Sequence, residues 1–220
     1  MSNPNDKTSE LARLAAYSGD PWKASNPYFA HAENHMEMSW EKHIRPFTEG
    51  CDFTNVVDLA CGHGRNSAKL LPLCKQLIGL DIQNANVEVC RTRFAAERKA
   101  RFLTNNGFDI ADVPSNWATL IYTFDAMGHF EPEVVRNDLL DIHRALQPGG
   151  RAFLHHSNYT GGRDWKTNPA ARNYMSLEMM RQFVTAAGLE IVRQKAIDWN
   201  KNEELDGLTL IEKPHRFDAL

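Results

Sequence analysis

Several absences narrow this sequence before any motif is read. Its four cysteines, Cys51, Cys61, Cys74 and Cys90, include no CxxC pair. That argues against a zinc knuckle or a redox dithiol and fits reduced thiols in a cytoplasmic protein. Basic charge is not in excess: 25 Lys and Arg stand against 28 Asp and Glu, for a net charge of -3. The phosphate-backbone contacts of a nucleic-acid binder therefore lack their usual source. No apolar run approaches the ~20 residues of a membrane span, and the opening MSNPNDKTSE is polar where a secretory signal needs an apolar stretch. No internal repeat or low-complexity tract is present either. The expectation is a cytoplasmic protein without nucleic-acid or membrane partners. Its 42% hydrophobic content over 220 residues suffices for one domain core.

What is present is alternation. Residues 28–47, YFAHAENHMEMSWEKHIRPF, lack strand periodicity and space Phe29, Met36, Trp40 and Ile44 helically, which predicts one helix ending before Pro46. Residues 1–27 are expected to be a flexible N-terminal segment, and 28–220 a single domain with that helix as a lid. Apolar runs then give way repeatedly to helical patterns: FTNVVDLA before 64–75, QLIGLDI before 85–99, RFLTN, WATLIYTFDA before 131–146, and GRAFLHH before 176–187. Such alternation predicts a Rossmann-like α/β fold, a mainly parallel seven-stranded sheet with helices on both faces. Pro148, Gly149 and Gly150 are expected to stop one helix and turn the chain into GRAFLHH. The last two runs, LEIVRQKAIDW and LDGLTLIEK, are joined only by NKNEE. They predict a hairpin that leaves the final strand antiparallel.

The first strand ends in VVDLACGHGRNSAKL, where Gly62 and Gly64 precede a helix. Two glycines let backbone approach a ligand, and N–H groups at a helix start can meet a carboxylate or phosphate. A dinucleotide fingerprint would read GxGxxG, but this loop reads GxGxxS, so alone it is weak. The second strand ends in Asp81, where a carboxylate can accept both hydroxyls of a ribose. Asp58 lies inside the first strand and needs an ammonium or N–H donors to offset its burial.

Taken together, VVDLACGHG, GLDIQ, NNGFDIADVP, TLIYTFDAMGHF and LQPGGRAFL resemble, in order, the motifs of the class I S-adenosylmethionine-dependent methyltransferases, over roughly residues 50–213. The resemblance implies S-adenosyl-L-methionine as cofactor. It places Asp58, Ala60, Cys61, Gly62, Gly64 and Arg65 at the methionine part, Asp81 and Ile82 at the ribose, and Asn106, Gly107 and Phe108 at the adenine. Thr123, Phe124 and Asp125 would line the methyl-donor side. One departure is Thr119, where many members carry an acid.

The segment after the fourth strand, FDAMGHFEPEVV, lacks the (N/D/S)PP(Y/F) tetrapeptide of enzymes that methylate base amino groups. With GRAFLHHSN and ARNYMS it resembles small-molecule and sugar O-methyltransferases. A hydroxyl acceptor calls for a base, usually histidine near neutral pH. His129, His155 and His156 fall at the carboxyl edge of the sheet, where open α/β sheets bind ligands. Adjacent strand residues face opposite ways, so one of His155 and His156 is expected to be structural. The reading assigns His129 and His156 to catalysis and Tyr28, His155, Asn158 and Arg172 to the substrate, with no metal, since a histidine-rich cluster suits a magnesium-type clamp poorly. Tyr28, Phe29, Trp40, Arg172 and Tyr174 could form a lid, and 163–174 is long enough for a mobile active-site loop. The favoured function is methyl transfer to a hydroxyl of a sugar or sugar-nucleotide unit. Methylation of a small carboxylic acid and a catalytically silent cofactor-binding partner subunit are the alternatives, and a homo-oligomer is left open.

Overall fold

Strands rich in Val, Ile and Leu bury both faces when helices cover the sheet on each side. In the computed structural model, which describes residues 4–161, 172–199 and 201–215, β1 (Asn55–Leu59) and β4 (Ala118–Thr123) are such strands. Each is joined in parallel to its neighbours: β1 to β2 (Gln76–Asp81) and β4, β2 to β3 (Ala100–Thr104), and β4 to β5 (Leu146–Ser157). The hairpin of β6 (Glu190–Trp199) and β7 (Asn202–Glu212) completes the sheet, in the order β3-β2-β1-β4-β5-β7-β6. As expected, β7 runs antiparallel, and it does so to both β5 and β6. The chain leaves β1 toward β2 and β3 on one side and returns to β4 and β5 on the other. That reversal opens a crevice at the carboxyl ends of β1 and β4.

Two apolar cores flank the sheet. One joins Val57, Ile121 and Leu154 to α6 (Pro132–Ala145) and α7 (Leu177–Ala186), and the other joins Val56, Tyr122 and Phe153 to Trp40 and Ile44. Pro132 opens α6 at a position where its missing N–H costs nothing, and Ser176 caps α7 by accepting the Met179 N–H at 3.1 Å. No helix among the described residues is long and apolar enough to cross a membrane.

Four expectations change. The N-terminal segment is not a frayed tail: Pro4–Gly19 form α1, whose Leu11, Leu14 and Ala15 pack on Phe108 and Val134. Burying two leucines contributes about 1.5–3 kcal/mol each, enough to dock a single helix. The helix foreseen over 28–47 is broken into α2 (Tyr28–Asn34), α3 (Met36–Ser39) and a π-turn (Trp40–Ile44), with the break at His35. The helices after β1 and β2 are shorter than their patterns, α4 (Arg65–Leu70) and α5 (Asn84–Arg93). Finally, Pro148 to Gly150 lie inside β5 rather than ahead of it. Gly149, at φ +77, absorbs a register shift against β4.

Candidate active site

The loop after β1 is built on left-handed backbone: Ala60, Gly62 and Gly64 have φ of 60, 53 and 79°. It is held from below and from the side. Cys61 N–H donates to Leu80 O at 2.9 Å, and Gly62 N–H donates to Asp81 Oδ2 at 2.9 Å. The other Asp81 oxygen accepts the Gln83 N–H at 2.8 Å and Asn86 Nδ2 at 3.2 Å. Burial raises the Asp81 carboxyl, and these donors oppose the rise. Asp58 lies fully buried beneath the loop. Ser67 Oγ donates to its Oδ2 at 2.6 Å, while among the described residues Oδ1 has no partner. Desolvation, only partly offset by Ser67, pushes its pKa up to about 7.

Above the loop lies a cleft of about 100 Å³, lined by Ala60, Cys61, Gly62, Asp81, Ile82 and Gly107 on the sheet side. Its roof comes from the segment expected to be flexible, through Ala15, Ser18 and Gly19 of α1 and then Trp22, and from Phe29 of the expected lid helix. Phe29 stacks on His63 with ring centroids 3.9 Å apart and sits over Gly62, where an added Cβ would come 2.8 Å from its ring. The roof is latched by Glu33–Arg93 at 2.7 Å, by Lys69–Glu37, and by Arg65 Nη1 donating to Ala32 O at 3.2 Å.

One wall of the cleft is a buried charge network. Asp125, in the left-handed region at φ 61°, accepts from Arg65 Nη2 at 2.8 Å and from the Tyr28 hydroxyl. Its backbone N–H donates to His155 Nδ1 at 2.9 Å, which leaves His155 Nε2 to donate to Asp206 Oδ2 at 2.8 Å. Arg172 grips Asp206 with Nε and Nη2 at 2.8 and 2.9 Å, lies 3.5 Å from Asp125, and donates from Nη1 to His129 Nε2 at 3.0 Å. Desolvation would raise the Asp125 carboxyl, but Arg65 and then Arg172 outweigh it and keep it ionised. Burial, reinforced by Asp125, pushes the Tyr28 phenol well above its usual range.

Beyond this wall is a second cavity of about 610 Å³. Trp22, Tyr28, Arg65, Asp125 and His129 line both cavities and form the junction between them. Arg172, His43 and Trp199 line only the second.

The three histidines therefore separate. His129 lines both cavities at the junction, yet its Nε2 lone pair is taken by Arg172, and desolvation followed by Arg172 pushes its pKa down to about 3. It is a neutral hydrogen-bonding group there and a weak base. The pair divides between the two faces of β5. His155 packs at 4.6 Å from Phe124 and 4.7 Å from Trp199 and ties β7 to the end of β4. His156 departs from the role expected of it: it lines neither cavity, donates from Nδ1 to Ser157 O at 2.7 Å, accepts the Thr209 hydroxyl at 2.8 Å, and crowds Gly207. Burial lowers its pKa to about 4.

Other expected residues also lie apart from the cavities. Asn158 holds α7 and β7 together, accepting the Leu177 N–H at 3.1 Å and donating to Glu204 O at 2.8 Å. Asn106 is exposed and caps its own turn through Phe108 N–H at 3.0 Å, leaving Asn105 and Gly107 to line the cleft. Phe108 packs under α1, Gly64 packs on Phe94 and Cys90, and Thr123 is buried below the cleft. Thr119 ties β4 to β1 by accepting the Asn55 N–H at 2.9 Å. Of the loop expected over 163–174, residues 163–171 fall outside the described residues. Trp22, His43, Trp199 and Asp206 were missed by sequence reasoning, which had no motif to mark them.

These features fit S-adenosylmethionine. The loop is backbone in left-handed conformations, Asp81 stands at its rim, and a buried carboxylate oxygen of Asp58 lacks a partner beneath it. The cleft volume is below the ~300 Å³ at which small-molecule sites begin, because Phe29 and Ile82 project into it. Full seating therefore needs the roof to withdraw.

Residues 56–150 match the family model described as "Methyltransferase domain". A curated relative, demethylmenaquinone methyltransferase of Clavibacter sepedonicus, is 27% identical over 99 residues, 45% of this chain. The chain thus aligns with about two fifths, 39%, of that relative's length. Among solved structures, a chain of the complex between the Haloferax volcanii Trm112 methyltransferase activator and a methyltransferase is similar at TM-score 0.66 and 19% identity, covering 87% of this chain and 97% of that one. An S-adenosylmethionine-dependent methyltransferase from Mesorhizobium loti is similar at TM-score 0.65 and 16% identity, covering 79% and 97%.

Proposed function

We propose that this chain, whose residues 56–150 match the methyltransferase-domain model, is a class I S-adenosylmethionine-dependent methyltransferase that methylates a hydroxyl oxygen of a small molecule, with a sugar or sugar-nucleotide unit favoured. The cofactor is S-adenosyl-L-methionine, which supplies a methyl group open to in-line displacement. The observation that carries the reading is the junction at which Tyr28, Arg65, Asp125 and His129 line both the cleft over the glycine loop and the larger second cavity. In-line transfer needs donor and acceptor held end to end, and two cavities meeting at a polar wall provide that arrangement.

At the junction Asp125 and His129 are both weak bases, the carboxyl held low by Arg65 and Arg172 and the imidazole by burial and Arg172. The His129 Nε2 lone pair is already taken, so the ionised carboxylate, with Oδ1 3.5 Å from Arg172, is the group left to accept a proton. It receives the acceptor's hydroxyl proton as the new bond forms, a contribution worth roughly 10²–10⁴ in rate. His129 stays neutral and, fixed by Arg172, orients the same hydroxyl. Arg65 and Tyr28 hold the Asp125 carboxylate in place. Trp22 and Phe29 exclude water from above. Asp81 takes the ribose, and the Ala60 to Gly62 backbone takes the methionine end.

Incubating the protein with methyl-labelled S-adenosylmethionine and a panel of sugars, sugar nucleotides and small carboxylic acids tests the reading. A demethylmenaquinone arm, suggested by the relative's name, separates carbon from oxygen methylation. Label in a sugar hydroxyl is expected. Label confined to carboxylates or to carbon would overturn the hydroxyl assignment, and no consumption of the cofactor with any acceptor would point to a silent partner subunit.

A further inference from the structure

The second cavity is unevenly charged. Four cations line it, Lys42, Arg65, Arg172 and Lys201, against two carboxylates, Asp125 and Asp198. The arginines are already satisfied: Arg65 by Asp125, and Arg172 by Asp206 behind the wall. Asp198 is engaged with the backbone, its Oδ1 accepting the Glu204 N–H at 3.0 Å. Among the described residues neither Lys42 nor Lys201 is in an ion pair. Both are exposed, so they stand at the outer end of a cavity whose inner end is the junction. His43 also lines the cavity, and burial together with Lys42 keeps it neutral, its pKa pushed down to about 4. At the inner end Arg172 lies over the Trp199 ring, 5.6 Å from its centroid. The cavity thus runs from an end that sets two lysines against the single carboxylate of Asp198, through aromatic walls, to a polar junction.

We infer that the acceptor carries an anionic group, a carboxylate or a phosphate, held by Lys42 and Lys201, while its hydroxyl reaches Asp125 and His129. The inference rests on the second cavity being the acceptor's, as proposed above. Two ammonium groups with no ion pair among the described residues, against one carboxylate, favour an anion by field as well as by contact, and a volume of about 610 Å³ accommodates a substituted sugar.

The test measures binding separately from transfer. With S-adenosylhomocysteine present, glucose 6-phosphate, glucuronate and glucose are titrated by ligand-observed NMR into the wild-type protein and the double variant Lys42→Ala/Lys201→Ala. Retained S-adenosylhomocysteine affinity shows that the variant is folded. At least one of the two charged probes is expected to bind tenfold or more tightly than glucose, and to lose at least tenfold in the double variant. Which probe does so tells carboxylate from phosphate. Glucose binding as tightly as both anions, neither anion binding, or a double variant that binds them like wild type overturns the inference. Methyl transfer is followed in parallel samples containing S-adenosylmethionine. Lysine-dependent anion binding without transfer to any hydroxyl would preserve the anion site and sink the hydroxyl-transfer reading instead.

Discussion

Replacing Arg172 by Met keeps most of the side chain's bulk and removes its charge from the middle of the buried wall. Arg172 is 3% exposed and Asp206 0%. The change takes from Asp206 its two hydrogen bonds of 2.8 and 2.9 Å, leaving a buried carboxylate with His155 as its remaining side-chain partner, and takes from His129 its 3.0 Å donor. Removing one member of a buried ion pair typically costs ~3–5 kcal/mol, against ~0–1 kcal/mol for a pair on the surface. In a protein of this size each kcal/mol shifts Tm by ~2–4 °C, so thermal unfolding followed by circular dichroism should show a fall of roughly 6–20 °C. The exposed pair Arg45–Glu41 supplies the control, and Arg45→Met should move Tm by no more than ~4 °C. Adding Asp206→Leu to Arg172→Met removes the stranded carboxylate and should recover part of the loss. A Tm for Arg172→Met indistinguishable from that of Arg45→Met would refute the view that this network holds the wall.

Two further predictions concern pH and the roof. His156 is neutral in the fold, its pKa of about 4 lying below the ~6.5 of an unfolded histidine, so between those values the unfolded chain binds the extra proton. Its contribution is present above pH ~6.5 and is lost as pH falls toward 4, by about 3 kcal/mol. Guanidinium unfolding at pH 7 and pH 4 should show a shallower decline for His156→Leu than for wild type, and equal declines would contradict the assignment. Phe29→Ala removes the ring that rests over Gly62, so stopped-flow association of S-adenosylmethionine should quicken several-fold. An unchanged rate would mean that withdrawal of the roof does not limit entry.

Much of the scaffold was legible because its signals are local. Buried strands alternating with helical patterns, the glycine loop after β1 and the acid ending β2 all lie within short windows, and the sheet follows from them. The N-terminal helix escaped because Leu11, Leu14 and Ala15 are thinly spread through a polar segment, and their burial depends on Phe108 and Val134 far along the chain. Asp206 was invisible for a similar reason: as one of four acids in β7 it gains meaning only when that strand pairs with β5 and sets it beside His155 and Arg172. The histidine pair was half legible. Strand alternation separates the two side chains, whereas which of them meets the cavity is settled by what packs on each face of β5, and neither does. Choosing the base from residue type alone favoured His129, while burial and the field of Arg172 leave it neutral with its lone pair taken, and Arg65 with Arg172 keep Asp125 ionised against its burial.

The account turns on methyl transfer at the Asp125 junction. The most direct test is kcat for transfer from S-adenosylmethionine to a hydroxyl acceptor, at saturating cofactor, for wild type and for Asp125→Asn, which preserves shape and removes the negative charge. A fall of roughly 10²–10⁴ is predicted. A kcat within a few-fold of wild type would contradict the assignment of the reacting hydroxyl to this junction.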